Sequence, residues 1–174
     1  MIIDTPYVVG AVLVGVGATL LINLCALFLR RAFSIPSLDY CLLGRWVLYM
    51  PNGSFMHESI GATPQKRHEC TVGWTTHYLI GTAFALLFVL LASGSWLERP
   101  TLFPALAFGI ATTLVPYFIM QPALGLGVAA SKTPNPNKAR LKSLMTHTVF
   151  GVGLYIWAYL LSHVMFSLSR GTAP

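Results

Sequence analysis

The sequence predicts an all-α membrane protein, with four transmembrane helices in a bundle and a short interfacial helix in the first loop between them. The composition excludes an ordinary soluble domain, because 55% of the residues are hydrophobic and only 9% are charged, against about a quarter charged in soluble proteins. Four apolar stretches also reach the roughly 20 residues that a helix needs to cross a bilayer core. Nine of the eleven Lys and Arg residues lie in two segments between these stretches.

The four predicted spans cover residues 7–29, 74–93, 102–120 and 144–166, so that the chain 1–174 is one membrane domain. The first span is predicted to be retained and not cleaved as a signal peptide. It carries Asp4 where a leader would be basic, and its apolar length exceeds the usual leader core of about 7–15 residues.

The positive charges predict the orientation of the spans. Five lie in segment 30–73 and four in segment 121–143; they are Arg30, Arg31, Arg45, Lys66, Arg67, Lys132, Lys138, Arg140 and Lys142. Because cytoplasmic loops are enriched in Lys and Arg, both segments are expected to face the cytoplasm, with both termini on the outer side of the membrane. The net charge of +6 is then explained by the membrane topology, and no nucleic-acid partner is expected. The expected partner is the lipid bilayer with its anionic headgroups.

The three cysteines predict no disulfide. Cys25, Cys41 and Cys70 would lie in lipid or on the cytoplasmic side, where thiols stay reduced. Their spacing contains no C-x-x-C pair and so matches no zinc pattern.

A short helix is predicted over residues 38–50 of the first loop. Pro36 disfavours helix before it, and Ser37 and Asp39 suit a helix start. The turn signal at residues 51–53 ends the helix. At about 13 residues it is too short to span, so it is expected to lie at the membrane surface or to re-enter between the spans.

The third span is predicted to be irregular because Pro116 lies in its interior. Proline removes one backbone hydrogen bond and clashes with the preceding turn, which kinks a helix. Apolar character continues past Gln121 to Ala130. Either the helix stops near Met120 and the rest follows the interface, or the segment is a broken, re-entrant element of the kind that transporters use. A simple kink that neighbouring helices satisfy is the plainer alternative.

Two spans open with the same pattern, Thr-His-x-x-x-Gly-x-small, at residues 76–83 and 146–153. A duplicated pair of hairpins in parallel orientation would explain this repeat; the alternative is a chance match, which short patterns in apolar sequence often give. A glycine four residues after each histidine makes a notch on the same helix face, where another helix can pack closely. The glycines predicted to pack helices are Gly15, Gly17, Gly81, Gly109, Gly151 and Gly153.

A polar cluster is predicted in the cytoplasmic leaflet, where the two repeated patterns enter the membrane. Its expected members are His77, His147, Asn23, Thr76, Thr146 and Gln121. Ionisable groups inside a membrane are costly and suggest function, and histidine titrates near neutral pH. The cluster could respond to protons or contact a solute, it could only join helices by hydrogen bonds, or the two imidazoles could ligate a haem or a metal.

A second candidate cluster lies in the first loop, where His57 and His68 precede acidic residues and Cys70 follows. These side chains are competent metal ligands, but their spacing matches no helical zinc motif, so a solvated loop is favoured. The chain has no G-x-S-x-G elbow and no phosphate-binding loop of the G-x-x-x-x-G-K type. No cofactor is predicted, and an enzyme is not favoured.

Several motifs together resemble the bacterial domain-of-unknown-function family 2938. They lie at residues 39–46, 57–60, 73–81, 120–123, 131–134 and 143–151, and so extend over nearly the whole chain. The resemblance implies a small four-span inner-membrane protein and no agreed activity, cofactor or catalytic residue. It also implies an aspartate at the position of Asn23, and this substitution weakens the expectation of a proton-coupled role.

Two functions are therefore expected. One is a pathway for protons or a small solute through the polar cluster, in a homo-oligomer because four spans enclose little volume. The other is an accessory subunit or scaffold that packs against a partner membrane protein through glycine faces that include Gly10.

Overall fold

The computed structural model of the protein describes residues 5–171, with side chains placed up to residue 164. Asp4 and residues 172–174 lie outside this part. The predicted fold class is confirmed, because all the regular secondary structure of the described residues is helical and four helical segments are long and apolar enough to cross a membrane. These segments are Thr5–Phe33, Glu69–Ala92, Leu102–Ala123 and Pro136–Val164.

The helices follow one another in chain order. They are α1 (Thr5–Phe33), α2 (Tyr40–Tyr49), α3 (Glu69–Ala92), α4 (Leu102–Ala111), α5 (Gln121–Ala123) and α6 (Pro136–Gly171). Short 3-10 turns occupy Met50–Asn52, Gly94–Leu97 and Val128–Ala130. We call the end of the bundle that carries residues 34–68 and 124–135 the loop face, and the end that carries residues 93–101 the far face.

Helix α1 lies at the centre of the bundle, between α3 and α6, and α4 packs on the other side of α6. Glycines permit each of these contacts. A Cβ at Gly15 would come within 2.7 Å of the Thr82 backbone, one at Gly153 within 2.9 Å of Ala18, and one at Gly109 within 2.5 Å of Gly151. Such close backbone approach is the usual means by which helices associate within a membrane.

The outer surface of the bundle is apolar. Large side chains point outward from every span, including Leu79 on α3, Leu91 on α3 and Phe103 on α4, which is 81% exposed. A soluble protein of this size does not expose so much contiguous apolar surface, so the surrounding medium must be lipid.

Helix α2 begins two residues later than predicted, at Tyr40, and is capped by Asp39. The Asp39 carboxylate accepts a hydrogen bond from the backbone N–H of Cys41 at 2.9 Å, which makes it a better cap here than Ser37. The helix does not insert as a span; it packs against the start of α3 on the loop face.

The third span is broken as well as kinked. Its α-helix ends at Ala111, turns follow at Thr112 and Thr113, and a π-helical turn covers Pro116–Met120 before α5. Proline within the span and wide π turns are the expected causes of such a break. After α5 the chain continues as turns, with one short 3-10 turn at Val128–Ala130.

The two loops of the loop face are joined by backbone hydrogen bonds. The N–H of His57 donates to the carbonyl of Ala123 at 2.9 Å, and that of Ile60 donates to Leu124 at 3.1 Å. Gly125 makes this approach possible, since its φ is +85° and a Cβ would collide with the carbonyl oxygen of Glu58. The two loops therefore lie at the same end of the bundle.

Candidate functional site

Each of the four spans contributes one polar side chain to the half of the bundle next to the loop face. They are Asn23 on α1, His77 on α3, Thr112 at the end of α4 and His147 on α6. The His77 Nε2 lies 3.2 Å from the Asn23 Oδ1, and the His147 Nδ1 lies 2.7 Å from the Thr112 Oγ1. The two imidazoles lie within electrostatic range of one another.

The hydrogen-bond partners determine where each neutral imidazole carries its proton. The Asn23 Oδ1 can only accept, so the His77 Nε2 is the donor. The Thr112 hydroxyl already donates to the carbonyl of Gly109 at 2.6 Å, so the His147 Nδ1 must donate to Thr112. Among the described residues the other nitrogen of each ring has no protein partner, and it can accept a proton.

Asn23 is the centre of the hydrogen bonds on the α3 side. Its amide nitrogen donates to the Tyr78 hydroxyl at 3.0 Å, and the Tyr40 hydroxyl donates to its Oδ1 at 3.5 Å. The Tyr40 ring also stacks on His77 with ring centroids 4.2 Å apart. Tyr40 belongs to α2, so this short helix covers the polar cluster from the loop face.

Burial keeps Tyr40 uncharged. Loss of solvent, helped by the neighbouring Tyr78, raises the pKa of the Tyr40 phenol to about 12. The hydroxyl therefore stays protonated well above neutral pH, as the donor of the hydrogen bond to Asn23.

An aromatic layer closes the bundle between the polar cluster and the far face. Phe84 and Phe150 lie 6.2 Å apart, Phe88 and Phe108 5.0 Å apart, and Phe88 and Trp96 4.7 Å apart, measured between ring centroids. These rings come from α3, α4, α6 and the turn after α3. The cluster is thus separated from the far face in this conformation.

Not all the residues predicted for the cluster join it. The Thr146 hydroxyl donates to the carbonyl of Lys142 in its own helix, and Thr76 takes part in none of the hydrogen bonds that hold the cluster. Gln121 is only 7% exposed, and its Oε1 has no partner among the described residues. Thr112, which the repeated pattern does not include, is the hydrogen-bond partner of His147.

The model of the family described as "Protein of unknown function (DUF2938)" matches residues 12–161. The chain belongs to the DUF2938 family. The resemblance seen in the sequence motifs is thus confirmed. No curated protein and no solved structure gives a significant match to the chain.

The prediction that this DUF2938 protein has no disulfide is wrong, because Cys41 and Cys70 are bonded. The physical reason is the close crossing of α2 and α3, whose Cα atoms at these two positions are 3.9 Å apart. A Cβ at Gly44 would lie 1.8 Å from the Glu69 carbonyl oxygen, and one at Gly73 would lie 1.7 Å from that of Tyr40. Cys25 remains a free thiol.

A buried ion pair fixes the same junction. Arg45 on α2 and Glu69 on α3 are 4% and 8% exposed, and two hydrogen bonds of 2.8 and 2.7 Å join the guanidinium to the carboxylate. These hydrogen bonds raise the pKa of Arg45. The guanidinium also donates to the carbonyls of Ile60 and Thr63, so one side chain holds α2, α3 and the first loop together.

The loop residues considered as metal ligands do not assemble into a site. Among the described side chains no group of three or more His, Cys, Asp and Glu residues could hold a metal ion. Cys70 is bonded to Cys41, Glu69 is paired with Arg45, and His68 lies at the start of α3 with φ of 63°.

His57 instead lies in a cavity of about 550 Å³ between the two loops of this DUF2938 protein. Glu58, Ser131 and Lys132 also line the cavity. The His57 Nε2 is buried and has no partner among the described residues. This cavity opens at the loop face and is separate from the hydrogen bonds of the polar cluster.

Proposed function

We propose that the protein provides a membrane pathway for protons or a small polar solute through the cluster of Asn23, His77, Thr112 and His147. The observation that carries this proposal is the contribution of one polar side chain from each span, in two hydrogen-bonded pairs, to the half of the bundle next to the loop face. Polar groups within a membrane are costly to keep and are used at solute and proton sites.

The tautomers of the two histidines support proton uptake. Each ring uses one N–H to hold its place, and within the described part of the chain its other nitrogen has no protein partner and can bind a proton.

Unpaired polar atoms in the broken third span support access from the loop face. The Thr113 Oγ1 and the Gln121 Oε1 are buried without a partner among the described residues. Buried polar atoms normally bind protein or water, and broken helices in transporters expose such atoms to a solute. Passage to the far face would require the aromatic layer around Phe88 to move. Because four spans enclose little volume, the proposed pathway includes a second copy of the chain, packed against the first to enlarge the space for a solute.

The test is proton flux into liposomes that contain the purified protein, driven by a potassium diffusion potential and followed with a pH-sensitive dye. We expect His77→Gln and His147→Gln to reduce the flux to that of empty liposomes, because glutamine keeps a hydrogen-bond donor but does not titrate. His68→Gln, which removes an exposed imidazole of the loop face, is the matched control and should conduct as the unmodified protein does.

Unchanged flux in the double variant His77→Gln and His147→Gln would contradict the proposal, provided that its elution volume and helix content match those of the unmodified protein.

A role as a scaffold is the alternative, but Gly10, Gly15, Gly17 and Gly109 are covered by other parts of the same chain, so a partner would need another surface. A haem between the two imidazoles is the weaker alternative, and a visible spectrum without a Soret band would exclude it.

A further inference from the structure

The disulfide between Cys41 and Cys70 lies on the same face as the basic loops. These two features indicate different compartments. Basic loops indicate the cytoplasm, whereas stable disulfides belong to oxidising compartments, and those found in the cytosol are usually transient, catalytic or redox-sensing. A disulfide that exchanges with thiols would account for both.

We propose that Cys41 and Cys70 form a reversible thiol–disulfide exchange site on the loop face. Cys70 is exposed, whereas Cys41 is partly buried, so a thiol that approaches from solution meets the sulfur of Cys70 first. Exposed disulfides are the readily reduced ones, whereas buried structural ones resist reduction.

The helix starts favour this chemistry. Cys41 is the second residue of α2 and Cys70 is the second residue of α3. Helix N-termini stabilise thiolates, and a stabilised thiolate leaves faster in exchange. The thiolates of Cys41 and Cys70 that form when the disulfide breaks are therefore both stabilised, because each lies at a helix N-terminus.

The reaction balances with two molecules of a monothiol such as glutathione. The first thiolate attacks the Sγ of Cys70, the bond between the two Sγ atoms breaks, and its electron pair leaves on the Sγ of Cys41, which takes up a proton. A second thiolate then attacks the mixed disulfide and releases the Cys70 thiolate. The two thiols are oxidised to one disulfide, and the cysteine pair is reduced.

Reduction would loosen α2 without releasing it. The ion pair of Arg45 with Glu69 remains, as do the hydrogen bonds from Trp46 to the carbonyl of Phe55 and from Tyr49 to that of Pro64. The residue next to Cys41 is Tyr40, which covers His77 and bonds to Asn23. The exchange site would therefore regulate access to the polar cluster, a consequence that rests on the proposed function.

Thiol trapping tests the exchange site by itself. The Cys25→Ser protein in lipid nanodiscs is incubated with glutathione, and free thiols are then labelled with a maleimide-linked polyethylene glycol. We expect two labels per chain after glutathione, none after reoxidation with glutathione disulfide, and an unchanged circular dichroism spectrum. A disulfide that is reduced only after denaturation with detergent would overturn the proposal, because it would be a structural bond.

Flux measurements test the regulation. We expect reduced protein, and the double variant Cys41→Ser and Cys70→Ser, to conduct protons several-fold faster than oxidised protein. Cys25→Ser is the control and should respond to glutathione as the unmodified protein does. Equal flux in the oxidised and reduced forms would overturn the regulation. Absence of flux in every form would overturn the proposed function and its regulation together, while thiol trapping alone decides whether the exchange site exists.

Discussion

The buried pair of Arg45 and Glu69 shows what single residues contribute to this molecule. Two charges removed from water cost several kcal/mol each, and only good geometry with further hydrogen bonds offsets that cost. Here the carboxylate binds the guanidinium twice and also accepts a hydrogen bond from the backbone N–H of Lys66, while the guanidinium binds loop carbonyls. The pair therefore gives the α2–α3 junction its specific geometry.

Removal of one partner should be strongly destabilising. We expect Arg45→Met to lower the free energy of unfolding by about 3–5 kcal/mol, because Glu69 is left buried and unpaired. Thermal unfolding in detergent, followed by circular dichroism, measures the effect. The double variant Arg45→Met and Glu69→Leu should recover most of the loss, and Arg67→Met, at an exposed arginine of the same loop, should behave as the unmodified protein. A single variant as stable as the control would show that the pair is unimportant.

Of the four residues whose hydrogen bonds join the spans, the sequence indicated Asn23, His77 and His147 but not Thr112. A repeated Thr-His-x-x-x-Gly pattern indicated His77 and His147 because the glycine notches fix which helix face points inward. It could not indicate Thr112, whose position depends on where the third span breaks. Thr76 and Thr146 were misleading, because a threonine within a helix often bonds to its own backbone, as Thr146 does.

At the scale of elements, the spans could be predicted and the junction between α2 and α3 could not. Apolar length decides a span, and the predicted limits 7–29 and 74–93 differ from the observed α1 and α3 by a few residues. The disulfide depends on how two helices cross. One signal was present, because Cys41 and Cys70 are each followed three residues later by a glycine. Two helices with such a cysteine and glycine on one face can cross closely enough to bond.

The crossing itself gives a prediction for these elements. Gly73→Ala places a methyl group against the backbone of Tyr40, so α2 must move away from α3, and overpacking of this kind costs about 1–3 kcal/mol or more. We expect a lower melting temperature and slower disulfide formation after reduction. Gly61→Ala is the matched control, since the nearest atom to its added Cβ is 3.9 Å away. Equal behaviour of the two variants would contradict the close crossing.

The two halves of the molecule place their repeated histidine and glycine in similar positions. In each half, a histidine and the glycine that follows it face a helix from the preceding span: α3 faces α1 through Gly81, and α6 faces α4 through Gly151. The halves differ in their loops, since α2 follows α1 whereas a broken segment follows α4. Because of this difference, the ring of Tyr40 covers His77, whereas His147 is hydrogen-bonded to Thr112.

The whole account depends on the arrangement of the chain across the membrane, with both loops on one face and the polar cluster in the half of the bundle next to that face. Single cysteines at Arg67, Lys138 and Ser95, each in a background without Cys25, Cys41 and Cys70, can be labelled with an impermeant maleimide in sealed vesicles of known orientation. We predict that positions 67 and 138 react from the same side of the membrane, and that position 95 reacts from the other. Reaction of positions 67 and 138 from opposite sides would contradict the account.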